Sequence, residues 1–172
     1  MQKNVFFLLL GTNLGHRIAL LREAVQQIER QIAPVLRQSA IYETAPWGVT
    51  NQPTFLNQVL QLESILHPID ILQRALKIEK ELGRERHERW GARLIDIDLL
   101  YYGDVILKMT DLTVPHPRLH ERRFTLVPLA EIAPDFVHPI LKKNNQELLA
   151  ICTDSGEVIV YEIGNGDSVL GN

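Results

Sequence analysis

Asp96 and Asp98 stand two residues apart in Leu94-Ile-Asp-Ile-Asp-Leu-Leu100. On an extended strand, residues i and i+2 point to the same face. The two carboxylates therefore project together, about 7 Å apart at Cα, while Ile95, Ile97 and Leu99 face the other way. Ionised carboxylates at this spacing repel one another unless a cation lies between them. Their hard oxygens favour magnesium, which keeps water and substrate phosphates as its remaining ligands. The alternative for the pair taken alone is a solvated polar strand face.

Four of the twelve arginines lie just upstream, at Arg84, Arg86, Arg89 and Arg93, in a stretch that also holds His87 and Trp90. Guanidinium forks pair with phosphate oxygens, and an indole offers a flat face to a ring or a cation. The plainer reading is a solubilising charge run partly paired with Glu81, Glu85 and Glu88. Paired acids and clustered cations feeding one sheet end point instead to phosphoryl chemistry, in which both metal and arginine offset developing charge. A second cationic group follows at His116, Arg118, Arg122 and Arg123, with His116 held stiffly between Pro115 and Pro117. The loop Gly11 to Gly15 joins a strand to a helix and could approach phosphate. It matches neither a P-loop nor a dinucleotide fingerprint. Phe55 and Asn57 share one strand face. An amide beside an aromatic ring suits a flat heterocycle, or else is a polar residue of an edge strand.

The elements that must position these groups follow from hydrophobic periodicity. Val5 to Leu10 reads as a central strand. Ile18, Leu21, Val25, Ile28 and Ile32 form a helical stripe that Pro34 stops. Gln38 to Thr44 reads as a second strand and Phe55 to Glu63 as a third. Pro68 suits a first helical position, the stripe Ile71, Ala75, Ile78 and Leu82 follows, and Gly83 ends it. Leu94 to Tyr102 is the fourth strand. The order is β-α-β-β-α-β, a ferredoxin-like α+β arrangement with an antiparallel sheet flanked by helices. C-terminal additions follow: an extended piece at Leu112 to Pro115, a helical stretch from Leu119 to Ile132 interrupted by Pro128, a short helix at Asn145 to Ile151, and a strand at Glu157 to Ile163. Residues 1–163 read as one domain and residues 164–172 as a disordered tail.

The bulk numbers bound the function. With 172 residues and 45% apolar composition, one domain with a sizeable core is expected. The net charge of -3 argues against a dedicated nucleic-acid binder. Cys152 is the single cysteine, so no intramolecular disulfide forms, which fits a reducing compartment. No stretch is long enough to span a membrane. A cytoplasmic protein, monomeric because neither main helix needs an extra partner, is expected.

Arg89-Trp-Gly-Ala-Arg-Leu-Ile-Asp-Ile-Asp-Leu-Leu100 closely resembles the signature of the 6-hydroxymethyl-7,8-dihydropterin pyrophosphokinase family of folate biosynthesis. Gly11-Thr-Asn-Leu14, Tyr42-Glu-Thr-Ala-Pro46, Gln52-Pro-Thr-Phe-Leu-Asn57, Leu112-Thr-Val-Pro-His116 and Pro128-Leu-Ala-Glu-Ile-Ala-Pro134 resemble further segments of that family, in the same order. The likeness spans residues 5 to about 140. It implies transfer of pyrophosphate from ATP to the pterin hydroxymethyl group, with release of AMP. It also implies two magnesium ions on Asp96 and Asp98, and Arg84 and Arg93 as the arginines of the transfer. Arg86, Arg89 and Trp90 would close over ATP, and Glu79, Leu99, Thr113, His116 and Arg122 would line the nucleotide site. The pterin would stack between Phe55 and Phe124. Thr44, Ala45 and Trp47 would offer backbone contacts, Asn57 would read the pyrimidine edge, and Asn13 would close from the first loop. The chain departs from the family pattern at Ala45, commonly proline, at Phe55, commonly tyrosine, in the loop between Gly83 and Trp90, one residue shorter than in some members, and at Asp111, where a phosphate-contacting arginine can occur.

Overall fold

Val5 to Leu10 is apolar without alternation because both faces of its strand are covered. In the computed structural model, which describes residues 2–45, 53–83 and 94–164, β1 (Asn4–Thr12) runs through the middle of the sheet. It is flanked by β4 (Phe55–Ser64) and β5 (Asp96–Tyr102), both antiparallel to it. Phe6, Leu8 and Leu10 enter one core with Leu21, Ile28, Ile71 and Ile78. Phe7 and Leu9 enter a second core with Leu126, Leu129 and Leu148. The sheet is therefore a layer between two sets of helices.

The first set is α1 (Arg17–Gln31) and α2 (Pro68–Leu82). Pro68 sits at the start of α2, where the His67 ring accepts from the Ile69 amide, and Gly83 is the C-cap. The second set is α3 (Arg123–Ile132) and α4 (Asn145–Ile151). Pro128 lies inside α3 without ending it, a correction to the expected interruption; the ring is buried and forfeits only the bond its N–H would have made to the Phe124 carbonyl. The helical stretch expected from Leu119 is a 3-10 turn at Leu119–Glu121 followed by α3, separated by the extended backbone of Arg122.

The strand expected from Gln38 to Thr44 is broken and starts earlier: β2 (Val35–Gln38) shares only Gln38 with it, and β3 (Tyr42–Thr44) forms its far end, both paired to β4. Ser39 causes the break. Its hydroxyl accepts from the Val59 amide at 2.9 Å and thus replaces a backbone partner. A hairpin of β6 (Leu107–Lys108) and β7 (Thr113–Val114) precedes the 3-10 turn, and β8 (Val158–Val160) pairs with β3. The strand order is β5-β1-β4-β3-β8, with β2 also on β4. The β-α-β-β-α-β core is ferredoxin-like, as expected. Among the described residues no helix is long and apolar enough to cross a membrane. The expected disorder beyond Gly164 falls on residues 165–172, outside the described residues.

Candidate functional site

The register of the sheet sets out the site. Tyr42 pairs with Asn57, Asn57 with Gly11, and Gly11 with Asp96, so these four form one row across β3, β4, β1 and β5. Thr44 pairs with Phe55, and Leu9 with Asp98. All point to the α3 side. Asn57 and Asp96 are two strand spacings apart, about 10 Å at Cα. Between them Gly11 has no side chain. A Cβ placed there would meet the Asn57 Oδ1 at 3.1 Å.

A cleft of about 360 Å³ lies over this row. Thr44, Ala45, Phe55 and Asn57 line one end, Asp96 and Asp98 the other, with Leu9 and Gly11 between, and Arg118, Glu121, Arg122 and Phe124 form the opposite wall. The two phenyl rings thus come from β4 and α3, across the cleft from one another. Asn57 is 4% exposed and its Nδ2 donates to Thr44 Oγ1 at 2.9 Å. That bond fixes the amide so that its oxygen faces Gly11. The Arg122 guanidinium lies over the Phe124 ring, 5.6 Å from its centroid.

The α3 wall is tied down from behind. The Glu131 carboxylate accepts from the Tyr42 hydroxyl and, at 3.1 Å, from the Ala40 amide. Burial first, then the hydrogen bond and charge of Glu131, raises the Tyr42 pKa, so the phenol stays protonated and donates.

His116 docks on β5 through its amide, which donates to the Leu100 carbonyl at 2.9 Å. Its Nδ1 accepts from the Arg118 amide at 3.2 Å, which leaves Nε2 to carry the proton. Burial, then Arg122 and Arg118, lowers its pKa to about 4. His116 is therefore a neutral N–H donor rather than a member of a cationic group, a correction to the sequence reading.

Asp96 and Asp98 are half-buried on the cleft face, while Ile95, Ile97 and Leu99 are in the helix-side core, as alternation requires. Among the described residues no cluster of three His, Cys, Asp or Glu side chains forms a closed metal cage. Two carboxylates opening onto a cleft suit magnesium, which completes its shell with water and phosphate, better than a closed nitrogen–sulfur set for zinc.

Of the other expected site residues, Thr44, Ala45, Phe55, Asn57, Arg122 and Phe124 come together in the cleft. Leu99, Glu79, Thr113, His116 and Asn13 are not among its lining residues. The Leu99 side chain is in the core on the opposite face of the sheet, Glu79 is on α2 and Thr113 on β7. Asn13 is buried and its Nδ2 donates to the Pro53 carbonyl at 3.4 Å, holding the stem of the chain that leads into β4. Trp47, Arg84, Arg86, Arg89, Trp90 and Arg93 lie outside the described residues. Of the lining residues, Leu9 and Glu121 had no site role in the sequence reading, Gly11 entered it only as the start of a loop that could approach phosphate, and Arg118 only as a member of a cationic group. The signal for Arg118 was its place in a basic run; Glu121 carried none.

Both the sequence and the fold match known proteins. Residues 7–134 match the family model of 7,8-dihydro-6-hydroxymethylpterin-pyrophosphokinase (HPPK). A protein of Aquifex aeolicus named 2-amino-4-hydroxy-6-hydroxymethyldihydropteridine pyrophosphokinase is 41% identical over 141 residues, covering 82% of this chain and 88% of its own. Proteins of the same name from Bacillus subtilis and Methylorubrum extorquens are 42% and 45% identical, covering 75% and 76% of this chain and 78% and 84% of their own. The crystal structure of a Plasmodium falciparum HPPK-DHPS triple mutant with SDX-DHP superposes with a TM-score of 0.72 at 17% identity; the match covers 87% of this chain and 41% of that longer one, and shows the fold. The family model matched over residues 7–134, which include both facing phenyl rings and the carboxylate pair, and relatives 41% and 42% identical along most of their length place this chain in the 7,8-dihydro-6-hydroxymethylpterin pyrophosphokinase family.

Proposed function

We propose that this chain transfers pyrophosphate from ATP to the hydroxymethyl group of 6-hydroxymethyl-7,8-dihydropterin, releasing AMP, as a step of folate biosynthesis. The observation that carries the reading is the single sheet row in which the buried amide of Asn57 and the carboxylate of Asp96 are separated only by the bare Gly11. A flat heterocycle between Phe55 and Phe124 is gripped by two aromatic faces, and its amide-bearing edge meets Asn57. Its far substituent then points along the row toward Asp96 and Asp98.

The alcohol oxygen bonds to the β-phosphorus of ATP. The bond from that phosphorus to the oxygen bridging to the α-phosphorus breaks, AMP leaves with the electron pair, and the hydroxyl proton passes to solvent. Two magnesium ions, held by Asp96 and Asp98 when bound, supply an acidified alcohol and neutralised phosphate charge. Arg118 and Arg122 bring positive charge to the same cleft. His116, neutral, offers Nε2–H to an anionic oxygen of the departing AMP. No side chain need act as a strong base, since phosphoryl-transfer transition states are loose. Arg84 and Arg93 are assigned to the transferring group and Arg86, Arg89 and Trp90 to ATP through the family resemblance. A monomer in the cytoplasm is the working state that the sequence supports.

Incubation with ATP, magnesium and the reduced pterin alcohol tests this. AMP and the pterin diphosphate in equal amounts are expected. ADP would indicate a single phosphoryl transfer, and inorganic phosphate without altered pterin a hydrolase; either, or no reaction, overturns the assignment.

A further inference from the structure

The family match ends at residue 134, yet both walls of the ring slot are held by chain beyond it. The first wall is α3, which carries Phe124. Its N-cap, Arg122, makes no side-chain capping bond; Asp154 instead accepts from the Arg123 amide through Oδ2 at 2.9 Å. The second wall is β3 and the start of β4. β3 is only three residues long, and β8 pairs along all of it, Thr44 with Val158 and Tyr42 with Val160, followed by the Tyr161 amide to the Ile41 carbonyl at 2.8 Å.

Behind that wall lies a knot of side chains. The Tyr161 ring has the Arg17 guanidinium over it, 5.6 Å from the centroid. Arg17 Nη1 donates to the Thr54 carbonyl at 3.0 Å and to its hydroxyl at 2.9 Å, and lies 3.4 Å from Glu43 Oε2. The Thr54 hydroxyl donates to the same Glu43 oxygen at 3.0 Å. Glu43 and Thr54 directly precede Thr44 and Phe55, which line the cleft. A ring held between two aromatic faces is sensitive to their spacing, because a gap of 0.5–1 Å forfeits about a quarter to a half of the dispersion well.

We infer that residues 154–161 set the width of the ring slot, with Asp154 and Tyr161 as positioning residues for pterin recognition. The inference rests on the proposed function. Asp154 fixes the helix that presents Phe124. Tyr161, through Arg17, fixes the two strand ends that present Thr44 and Phe55. Neither touches the reacting groups: loss of Tyr161 acts on pterin affinity alone, whereas loss of Asp154, whose partner amide adjoins Arg122, acts on pterin affinity more than on ATP affinity.

The test uses the full chain with Tyr161→Ala, Tyr161→Phe, Asp154→Ala and Asp154→Asn. Pterin Kd is read by fluorescence titration and KM and kcat by AMP release. Each alanine variant is expected to raise pterin Kd and KM about fivefold, the scale of a lost cation–π contact or helix cap. For Tyr161→Ala, ATP Kd and kcat are expected to stay within about twofold; for Asp154→Ala, ATP Kd is expected to rise less than pterin Kd. Tyr161→Phe keeps the ring and is expected to resemble wild type; Asp154→Asn can keep an acceptor for the Arg123 amide only by giving up the 2.9 Å bond that the Asp154 Oδ1 accepts from the Gly156 amide, and is expected to fall nearer wild type than Asp154→Ala. Unchanged pterin affinity in both alanine variants overturns the inference, as does parallel loss of ATP and pterin affinity, or conservative variants no better than alanine. Should Tyr161→Ala not fold, the Asp154 pair decides by the same criteria. Wild-type protein that binds no pterin alcohol overturns the proposed function itself, whereas intact wild-type binding with unaltered variants overturns this inference alone.

Discussion

Replacing Gly11 with alanine adds one methyl group at the middle of the sheet row. The new Cβ would stand 3.1 Å from Asn57 Oδ1, closer than ordinary van der Waals contact. Gly11 is not in the left-handed region, so the backbone itself accepts alanine. The reduced freedom of the unfolded chain favours the variant by about 0.4–1 kcal/mol, and the crowding costs about 1–3 kcal/mol. The variant is therefore expected to lose roughly 0–2.6 kcal/mol of stability, so it is compared with wild type under conditions where both are folded. The amide has to give by a few tenths of an ångström, against its 2.9 Å bond to Thr44 and with almost no free space around it. Loss of one well-aligned hydrogen bond to the pterin costs about 0.5–1.5 kcal/mol, or roughly two- to twelvefold in affinity. Fluorescence titration with the pterin alcohol, beside an ATP titration, reads this directly. Gly11→Ala is expected to lose pterin affinity by that factor with ATP binding unchanged. A variant with wild-type pterin affinity would refute the reasoning that this glycine is there to keep the amide in place.

Asp96→Ala and Asp98→Ala are expected to lower kcat by more than about a hundredfold while the thermal unfolding midpoint stays near wild type; unfolding of either would give the acids a structural role instead. Asn145 is wholly buried, accepts from the Tyr101 hydroxyl at 2.9 Å and donates to the Ala133 carbonyl at 2.8 Å, so Asn145→Ala strands both partners and is expected to cost about 2–4 kcal/mol, visible in urea unfolding; a loss below about 0.5 kcal/mol contradicts the accounting. His138 is 3% exposed, and burial followed by the nearby His120 lowers its pKa to about 4. With His116 also near 4, the unfolded chain binds more protons than the folded one below the usual histidine value, so stability is full above about pH 6.5 and is lost as pH falls toward 4. His138→Asn, which keeps an acceptor for the Ile140 and Leu141 amides, is expected to flatten a melting-temperature profile over that window by a share worth up to about 3 kcal/mol; an unchanged slope would remove His138 from the account.

The acid pair was legible because two-residue alternation is a property of the strand itself: nothing distant has to be known to place Asp96 and Asp98 on one face. The same holds for Phe55 with Asn57, and for α2, whose ends are marked by Pro68 and Gly83. The split of the second strand was not legible, because it depends on the Ser39 hydroxyl meeting an amide of β4, twenty residues on. Leu100 and Tyr101 both join the α3-side core, against simple alternation, because a bulge in the pairing with β1 inserts one extra residue there. Arg118 and Glu121 reach the cleft only because the chain makes a 3-10 turn before α3, and periodicity read that stretch as one helix. His116 looked cationic beside its arginines, but burial and those same charges make it neutral. The bond from Asn13 to the Pro53 carbonyl was likewise not legible, because its partner lies forty residues away.

The row from Asn57 through Gly11 to Asp96 acts as a ruler with fixed graduations. Strand spacing comes only in whole steps of about 4.8 Å, so the interval between the group that recognises and the groups that react cannot drift through small changes in side chains. Under the proposed function, a substrate whose alcohol hangs one bond nearer to or farther from its recognised edge would meet the carboxylates out of register. Loops around the cleft can alter how tightly a ring is held, but re-setting the reach of the enzyme would require moving a carboxylate to a different strand.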